Sequence, residues 1–327
     1  MKIFFSLCGP GGGVPASPEH WELPYQLTPT RKHPFLTLGD YFVAVQNFLL
    51  RDGGRPIKRG FQEQGLPPPV LHEMKQLHIR SEKHGALYHV ARVEVLGSFP
   101  PVRFALSMAL TKEGRACLNR DFEAMNTLRT PWTAAYLPVS YLCEEISVGK
   151  GNAPARASVM LSEWLEGFHE WHLSRMGPGK PLGIRIWDNG CTPVTQEESL
   201  EIFRQTARIL TLLYDTRNNG QIYPWHHAAG DFVVRRQSRD LAVRLTTVRN
   251  HTPVLPKRAA LSHPWLPLVY FFLIMSLKVR MDKLDGVGEV VVASEQALQA
   301  AIQGFMDGLS AMACQGRYTL GHPRDLV

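Results

Sequence analysis

The chain has 327 residues, of which 44% are hydrophobic, 20% charged and 9% aromatic, with a formal net charge of +7. That balance is too apolar for a disordered chain, and the length allows one large domain, two lobes or two domains with a tail. The five cysteines (Cys8, Cys117, Cys143, Cys191 and Cys314) are odd in number and scattered without a CxxC pair. This argues against a disulfide framework or a structural zinc site and fits a cytoplasmic, reducing location. The opening hydrophobic run, Ile3 to Leu7, is too short for a secretory segment. Trp265 to Leu277, the most apolar stretch, is interrupted by Pro267 and falls short of the ~20 residues a membrane helix needs, so no membrane span is expected.

In chain order, residues 1–70 are punctuated by Gly9 to Pro15, Pro18, Pro24, Pro29, Pro34 and Pro67-Pro68-Pro69, and read as an irregular arm or cap. The exception is Leu38 to Leu50, where Tyr41, Phe42, Val45, Phe48 and Leu49 recur at helical spacing. From His78 the pattern turns to strands. Ile79-Arg80 and Tyr88 to Leu96 form a hairpin around Glu82 to Gly85, followed by a third strand, Val102 to Leu110. A helix over Thr111 to Leu128 carries Leu118, Phe122, Met125 and Leu128 in phase, and strands follow at Tyr136 to Glu144 and Ala157 to Trp164.

After about Leu165 the pattern is mainly helical. Thr195-Gln196-Glu197-Glu198 has the form of a capping box ahead of Leu200, Phe203, Ala207, Leu210 and Tyr214. Short strands are expected at Phe232 to Arg235 and Ala242 to Val248, then a helix over Pro264 to Lys283 and another from Ser294. The segment Arg235 to Lys283 holds ten Lys and Arg against Asp240 and Asp282, a charge of +8. A field of that sign attracts phosphates, nucleic acid or anionic head groups. Nucleic acid is disfavoured, because no aromatic-interleaved strand motif accompanies the charge.

Trp225-His226-His227-Ala228-Ala229-Gly230-Asp231 is the strongest local chemistry: two imidazoles and an acid in a small-residue loop between a helix and a strand. Four readings stay open. His226 or His227, oriented by Asp231, could act as general base, since imidazole titrates near neutral pH. The three could bind a transition metal, although neighbouring residues on a strand face opposite ways. The histidines could brace the loop beneath Trp225, or they could contact an anion or nucleotide without catalysis. His169-Glu170-Trp171-His172 forms a second pair at i, i+3, read as a solvated helix start and only weakly as a zinc site.

The succession of hairpin, third strand, helix, two strands, linker, long helix, polar loop, two short strands and helices resembles the protein-kinase-like and aminoglycoside-phosphotransferase-like superfamily over roughly residues 71–315. Arg120 to Met125 is similar to the family helix whose glutamate pairs with a third-strand lysine, which makes Glu123 that acid. Leu161 to Phe168, with Glu163 and Trp164, looks like the hinge pattern Met-Glu-x-Leu-x-Gly. Tyr223 to Val234 falls where the family has His-Gly-Asp-x-His-x-x-Asn, which puts Asp231 at the metal-binding asparagine and His226 at the catalytic aspartate. Ser107 stands in place of the lysine, and Thr247 in place of the aspartate of the Asp-Phe-Gly motif. Arg244 and Arg249 are the cations nearby that could replace the lysine and metal.

The resemblance implies an α+β, two-lobed kinase-like fold with an irregular N-terminal arm (1–70), a β-rich small lobe (71–160) and a helical large lobe (161–327). It implies a divergent protein that binds ATP or another nucleotide with Mg, or another phosphorylated small molecule, in the inter-lobe cleft. His226, His227 and Asp231 would be its catalytic residues, with Asp231 also the metal ligand; Glu123, Glu163, Trp164, Arg244 and Arg249 would contact the nucleotide. Transfer would be to a small hydroxylic acceptor such as a sugar. The alternative is a pseudokinase, catalytically inactive and acting as an interaction or regulatory module on a protein partner.

Overall fold

The computed structural model describes residues 1–9, 12–28, 30–149, 154–188, 190–226, 230–237, 240–255, 263 and 265–320. The protein is mixed α+β. It divides into two compact units, one of Met1–Asn126 with Pro138–Leu165, the other of Thr127–Leu137 with Glu166–Val327.

The first unit contains β1 (Lys2–Gly9), β2 (Gly12–Pro15), α1 (Pro18–Trp21), β3 (Pro24–Thr28), β4 (Arg31–Thr37), α2 (Leu38–Glu63), β5 (Met74–His84), β6 (His89–Gly97), β7 (Val102–Ala109), α3 (Lys112–Leu128), β8 (Ser140–Val148) and β9 (Ala155–Glu163). Seven strands form one sheet in the order β2-β1-β5-β6-β7-β9-β8, antiparallel except where β1 runs parallel to β5. Thr37 opens α2 through a reciprocal cap with Asp40. Tyr41, Phe42, Val45, Phe48 and Leu49 then line one face, and all five are buried. The helix is broken at Arg51 to Gly54, where Asp52, Gly53 and Gly54 take positive φ, and it resumes to bury Ile57 and Phe61 in the same core.

Residues 1–70 are therefore not an irregular arm. The run Ile3 to Leu7 is short, but it pairs with β5 residue for residue from Lys2–Gln76 to Leu7–Ser81. Pro18 opens α1 and Pro24 opens β3, while Gly12 to Pro15 form β2 and Pro34 lies within β4.

The second unit contains β10 (His169–Arg175), β11 (Leu182–Ile186), β12 (Thr192–Pro193), α4 (Gln196–Leu212), β13 (Gly220–Ile222), β14 (Phe232–Gln237), β15 (Asp240–Leu245), β16 (His251–Pro253), α5 (Leu266–Lys278), β17 (Met281–Lys283), a 3₁₀ turn (Leu284–Gly286), β18 (Val290–Val292) and α6 (Glu295–Cys314). Five strands form a sheet in the order β12-β11-β10-β14-β15, while β13 pairs with β16 and β17 with β18. The capping box at Thr195 is present: Thr195 accepts from the Glu198 N–H, and Glu198 accepts from the Thr195 N–H (2.8 Å). The helix it starts, α4, packs on α6 and β15.

The mainly helical expectation after Leu165 is corrected by this sheet. His169 to His172 lie on a strand, because β10 finds its partners in β11 and, some 60 residues later, in β14. The expected helix over Pro264 to Lys283 is α5, which stops at Lys278; Met281 to Lys283 pair with β18 instead. Pro264 lies outside the described residues. Among them, no helix is long and apolar enough to cross a membrane.

Candidate functional site

The segment leading into β14 brings the chemistry of the second unit together. Trp225, 3% exposed, sets its ring edge-on against Phe232 at 5.6 Å and anchors the segment to the sheet. The Tyr223–Pro224 peptide is cis. Asp231 is 1% exposed and doubly held. Its Oδ2 accepts the backbone N–H of His226 at 2.8 Å, and its Oδ1 accepts the Arg249 guanidinium in an ion pair. The backbone is fixed around it: Thr246 donates its N–H to the Asp231 carbonyl and its hydroxyl to the Gly230 carbonyl, each at 2.8 Å. Burying a carboxylate is costly unless it is paired and hydrogen-bonded, and both conditions are met here.

Arg249 reaches Asp231 from a backbone with φ +54°, the left-handed region that a non-glycine residue occupies only at a cost. Lys278, the last residue of α5, extends its Nζ over the rings of Tyr223 (4.8 Å to the centroid) and Trp225 (5.4 Å). Burial lowers its pKa, Asp231 raises it and Arg249 lowers it again. The His226 imidazole is pushed below its ordinary value by burial, then by Lys278, Arg249 and Lys283. The result is a neutral imidazole in the field of Lys278, Arg249 and Lys283, beside a buried carboxylate paired with Arg249.

His226, Asp231 and Arg249 are therefore brought together, but in different roles from those the sequence suggests. Asp231 grips the His226 amide, which positions the backbone. His227 lies outside the described residues. Arg244, on β15, donates to the Leu137 carbonyl at 2.7 Å and stands 5.8 Å from the Phe168 ring, which Arg235 approaches to 4.7 Å. Thr247 is buried just past β15.

The remaining candidates belong to the first unit. Glu123 is exposed on α3, and the buried acid of that helix is Asp121. Both lie near Cys143, whose thiol is pushed up to about 12 by burial and then by these two carboxylates. Glu163 closes β9, donating its backbone N–H to the Val139 carbonyl (2.8 Å) and accepting the Val139 N–H on its carboxylate (3.1 Å). Trp164, half-buried, lies under the Arg92 guanidinium at 5.8 Å. Ser107 is buried on β7 between Val90 and Met160.

Two groups carry side chains of the kinds that bind metals. Magnesium requires hard oxygen donors, but both oxygens of Asp231 are engaged, one by a guanidinium, and Lys278 stands near. These residues do not fit a divalent cation. On β10, His172 is buried with Nδ1 3.3 Å from Asp282 and Nε2 3.8 Å from Glu170. Burial lowers its pKa, but the bonds to Asp282 and Glu170 outweigh this and raise it to about 9. Among the described residues, no group of three or more His, Cys, Asp and Glu could hold a metal.

Of the groups that form the site, Lys278 had no local signal. Its neighbours Tyr223 and Trp225 lie more than fifty positions earlier, and the sequence around it reads as a helix end. A depression of about 490 Å³ in the first unit, lined by Arg55, Lys58 and Arg59 among others, is partly neutralised within itself, with Arg55 on Glu144 and Arg59 on Glu63. No protein-family model matches the chain, and no curated protein matches it.

Proposed function

We propose that this chain is a divergent kinase-like protein whose second unit binds a nucleotide or another phosphorylated small molecule at the group formed by Asp231, Arg249, Lys278 and Lys283. The observation that carries the reading is the set of cations at the end of the Tyr223 to Asp231 segment, Arg249 and Lys278 by the buried Asp231 carboxylate and Lys283 by His226. Cations with N–H donors, partly shielded from water, bind phosphate strongly. The order hairpin (β5, β6), third strand (β7), helix (α3) and two strands (β8, β9) in the first unit supports the kinase-like part of the reading.

Transfer from ATP to a hydroxylic acceptor such as a sugar would use neutral His226 as base, taking the hydroxyl proton as the acceptor oxygen attacks the terminal phosphorus, while the bond from that phosphorus to its bridging oxygen breaks and ADP leaves. The pseudokinase alternative is favoured by Asp231, whose oxygens are engaged by a guanidinium and an amide rather than turned to a metal. Thermal unfolding of the full chain tests the binding reading, run with ATP, GTP or inorganic pyrophosphate for the wild type and Lys278→Ala. A ligand at 100 times its Kd stabilises by about 2.7 kcal/mol. The expected outcome is a raised Tm that Lys278→Ala loses; an unchanged Tm with every phosphate compound overturns the reading.

A further inference from the structure

We infer that the first unit carries an anion site of its own, for a ligand with linked phosphate groups, on the side of α2 formed by Arg55, Lys58, Arg59 and Gln62. It belongs to a different unit from the group at Asp231 and stands independently of it.

The four residues recur at i, i+3, i+4 and i+7, so they share one side of the helix that resumes after the break at Arg51 to Gly54. The other side is fixed. Ile57 and Phe61 are buried in the core, and a Cβ at Gly60 would lie 2.4 Å from the Phe104 ring, so this part of α2 sits directly on β7. Its polar side is thereby held away from the core, where the four residues line the depression of about 490 Å³ together with Tyr141 and Leu142 of β8.

The acids that pair with this stripe leave one cation over. Glu144 takes both Arg51 and Arg55, with Arg55 Nη2 donating to its two oxygens at 2.9 and 3.0 Å. Asp52, the one acid lining the depression, faces Arg55 Nε at 3.4 Å, and Glu63 pairs with Arg59 at 2.6 Å. Among the described residues, the Lys58 ammonium has neither an ion pair nor a hydrogen bond, and the Gln62 carboxamide has no hydrogen bond. Arg55 stands three positions before Lys58 and four before Arg59, spacings at which like charges on a helix repel. Packing does not require this crowding, because none of the three charged groups points into the core. An anion turns the same repulsion into shared attraction.

Lys58 offers three N–H donors, and Arg55 and Arg59 each keep guanidinium N–H groups beyond those bound to acids. Ammonium and guanidinium groups of this kind recognise phosphate oxygens. From Arg55 to Gln62 the helix rises about 10 Å, close to two turns. A chain of linked phosphates can engage the whole set, whereas one orthophosphate meets only one turn of it.

The test is calorimetric titration of the full chain at low salt with inorganic triphosphate, in the Lys278→Ala background so that the second unit does not contribute. The expected result is binding whose Kd rises about tenfold when Lys58→Gln is added, the order of one lost charge-assisted hydrogen bond, and orthophosphate should bind more weakly than triphosphate. ATP distinguishes the sources of such a chain: a Kd equal to that of triphosphate assigns the site to the phosphates alone, and a lower one, equally sensitive to Lys58→Gln, to a nucleoside triphosphate. No triphosphate binding in the Lys278→Ala background, binding that Lys58→Gln leaves unchanged, or orthophosphate binding as tightly overturns the inference. None of these results bears on the second unit, whose reading is decided by the wild type against Lys278→Ala.

A further measurement needs no ligand. Lys58→Gln removes one of the crowded charges, so at low salt, where the repulsion is least screened, the Tm of the ligand-free variant should be no lower than that of the wild type. A lower Tm makes Lys58 a structural charge and overturns the inference.

Discussion

His89 is enclosed by Tyr41 (ring centroids 4.6 Å apart), His84 and Tyr25. Its Nε2 lies 2.7 Å from the Ser81 hydroxyl and its Nδ1 3.2 Å from Nδ1 of His84. Burial, then the neighbouring His84, lowers its pKa to about 3. The unfolded chain takes up a proton at the ordinary 6.5 and the folded chain does not, so the stability stored in neutral His89 is complete above pH 6.5 and drains as pH falls toward 3. His172 has the opposite sign. With its pKa raised to about 9 beside Asp282 and Glu170, its contribution is complete below pH 6.5 and is lost as pH rises through 9. Denaturant midpoints measured from pH 4.5 to 9.5 should separate the two. His89→Asn flattens the acid limb and His172→Asn the alkaline limb, each leaving the other limb unchanged. An acid limb equally steep in His89→Asn would mean that His89 is not held neutral.

At the level of elements, the second unit depends on how closely α6 approaches α4. A Cβ added at Gly304 would lie 2.0 Å from the Arg204 carbonyl oxygen, and one at Gly308 would lie 2.6 Å from the Thr211 Cβ. The obstacle at Gly304 is backbone, which cannot rotate away, so Gly304→Ala forces the helices apart. The expected cost is about 1–3 kcal/mol, the usual range for overpacking; a midpoint equal to wild type would show that the approach is looser. In the same unit, legibility in the sequence followed locality. Thr195 to Glu198 announced α4 because a capping box closes within four residues. His169 to His172 misled because a spacing of three suits a helix, whereas the strand there is decided by β11 and β14. Asp231 stood out in its small-residue loop, but its partner Arg249 lies eighteen positions on and Lys278 nearly fifty. Arg249 was reached only through its place beside the Asp-Phe-Gly position of the resemblance, and nothing near Lys278 marks it as part of the site.

Across the whole molecule, the +8 segment is not one solvated basic face. Arg236 pairs with Glu198, Arg249 with Asp231, Arg235 and Arg244 stand by Phe168, and Lys278 lies over Tyr223 and Trp225. Charge counted along a sequence overstates what a partner would meet, because these five cations are engaged by residues remote from them in sequence. The same remoteness governs residues 1–70. Their proline and glycine content suggests an appendage, but Tyr41, Phe42, Val45, Phe48, Leu49, Ile57 and Phe61 all lie in the one core that Leu77, Val93, Phe104 and Leu161 share. Fully burying a side chain of this size contributes about 1.5–3 kcal/mol, so seven of them contribute about 10–21 kcal/mol, comparable to the whole 5–15 kcal/mol by which a typical domain is stable. The position of β1 adds to this, since its removal exposes the edge of β5. A fragment of residues 71–327 should therefore lose the fold of the first unit, with near-UV circular dichroism collapsing for its aromatic residues and the fragment aggregating through the bared sheet. A detachable arm would leave a soluble fragment with native-like spectra over residues 71–165. That result would move the core of this unit off α2 and onto the sheet alone.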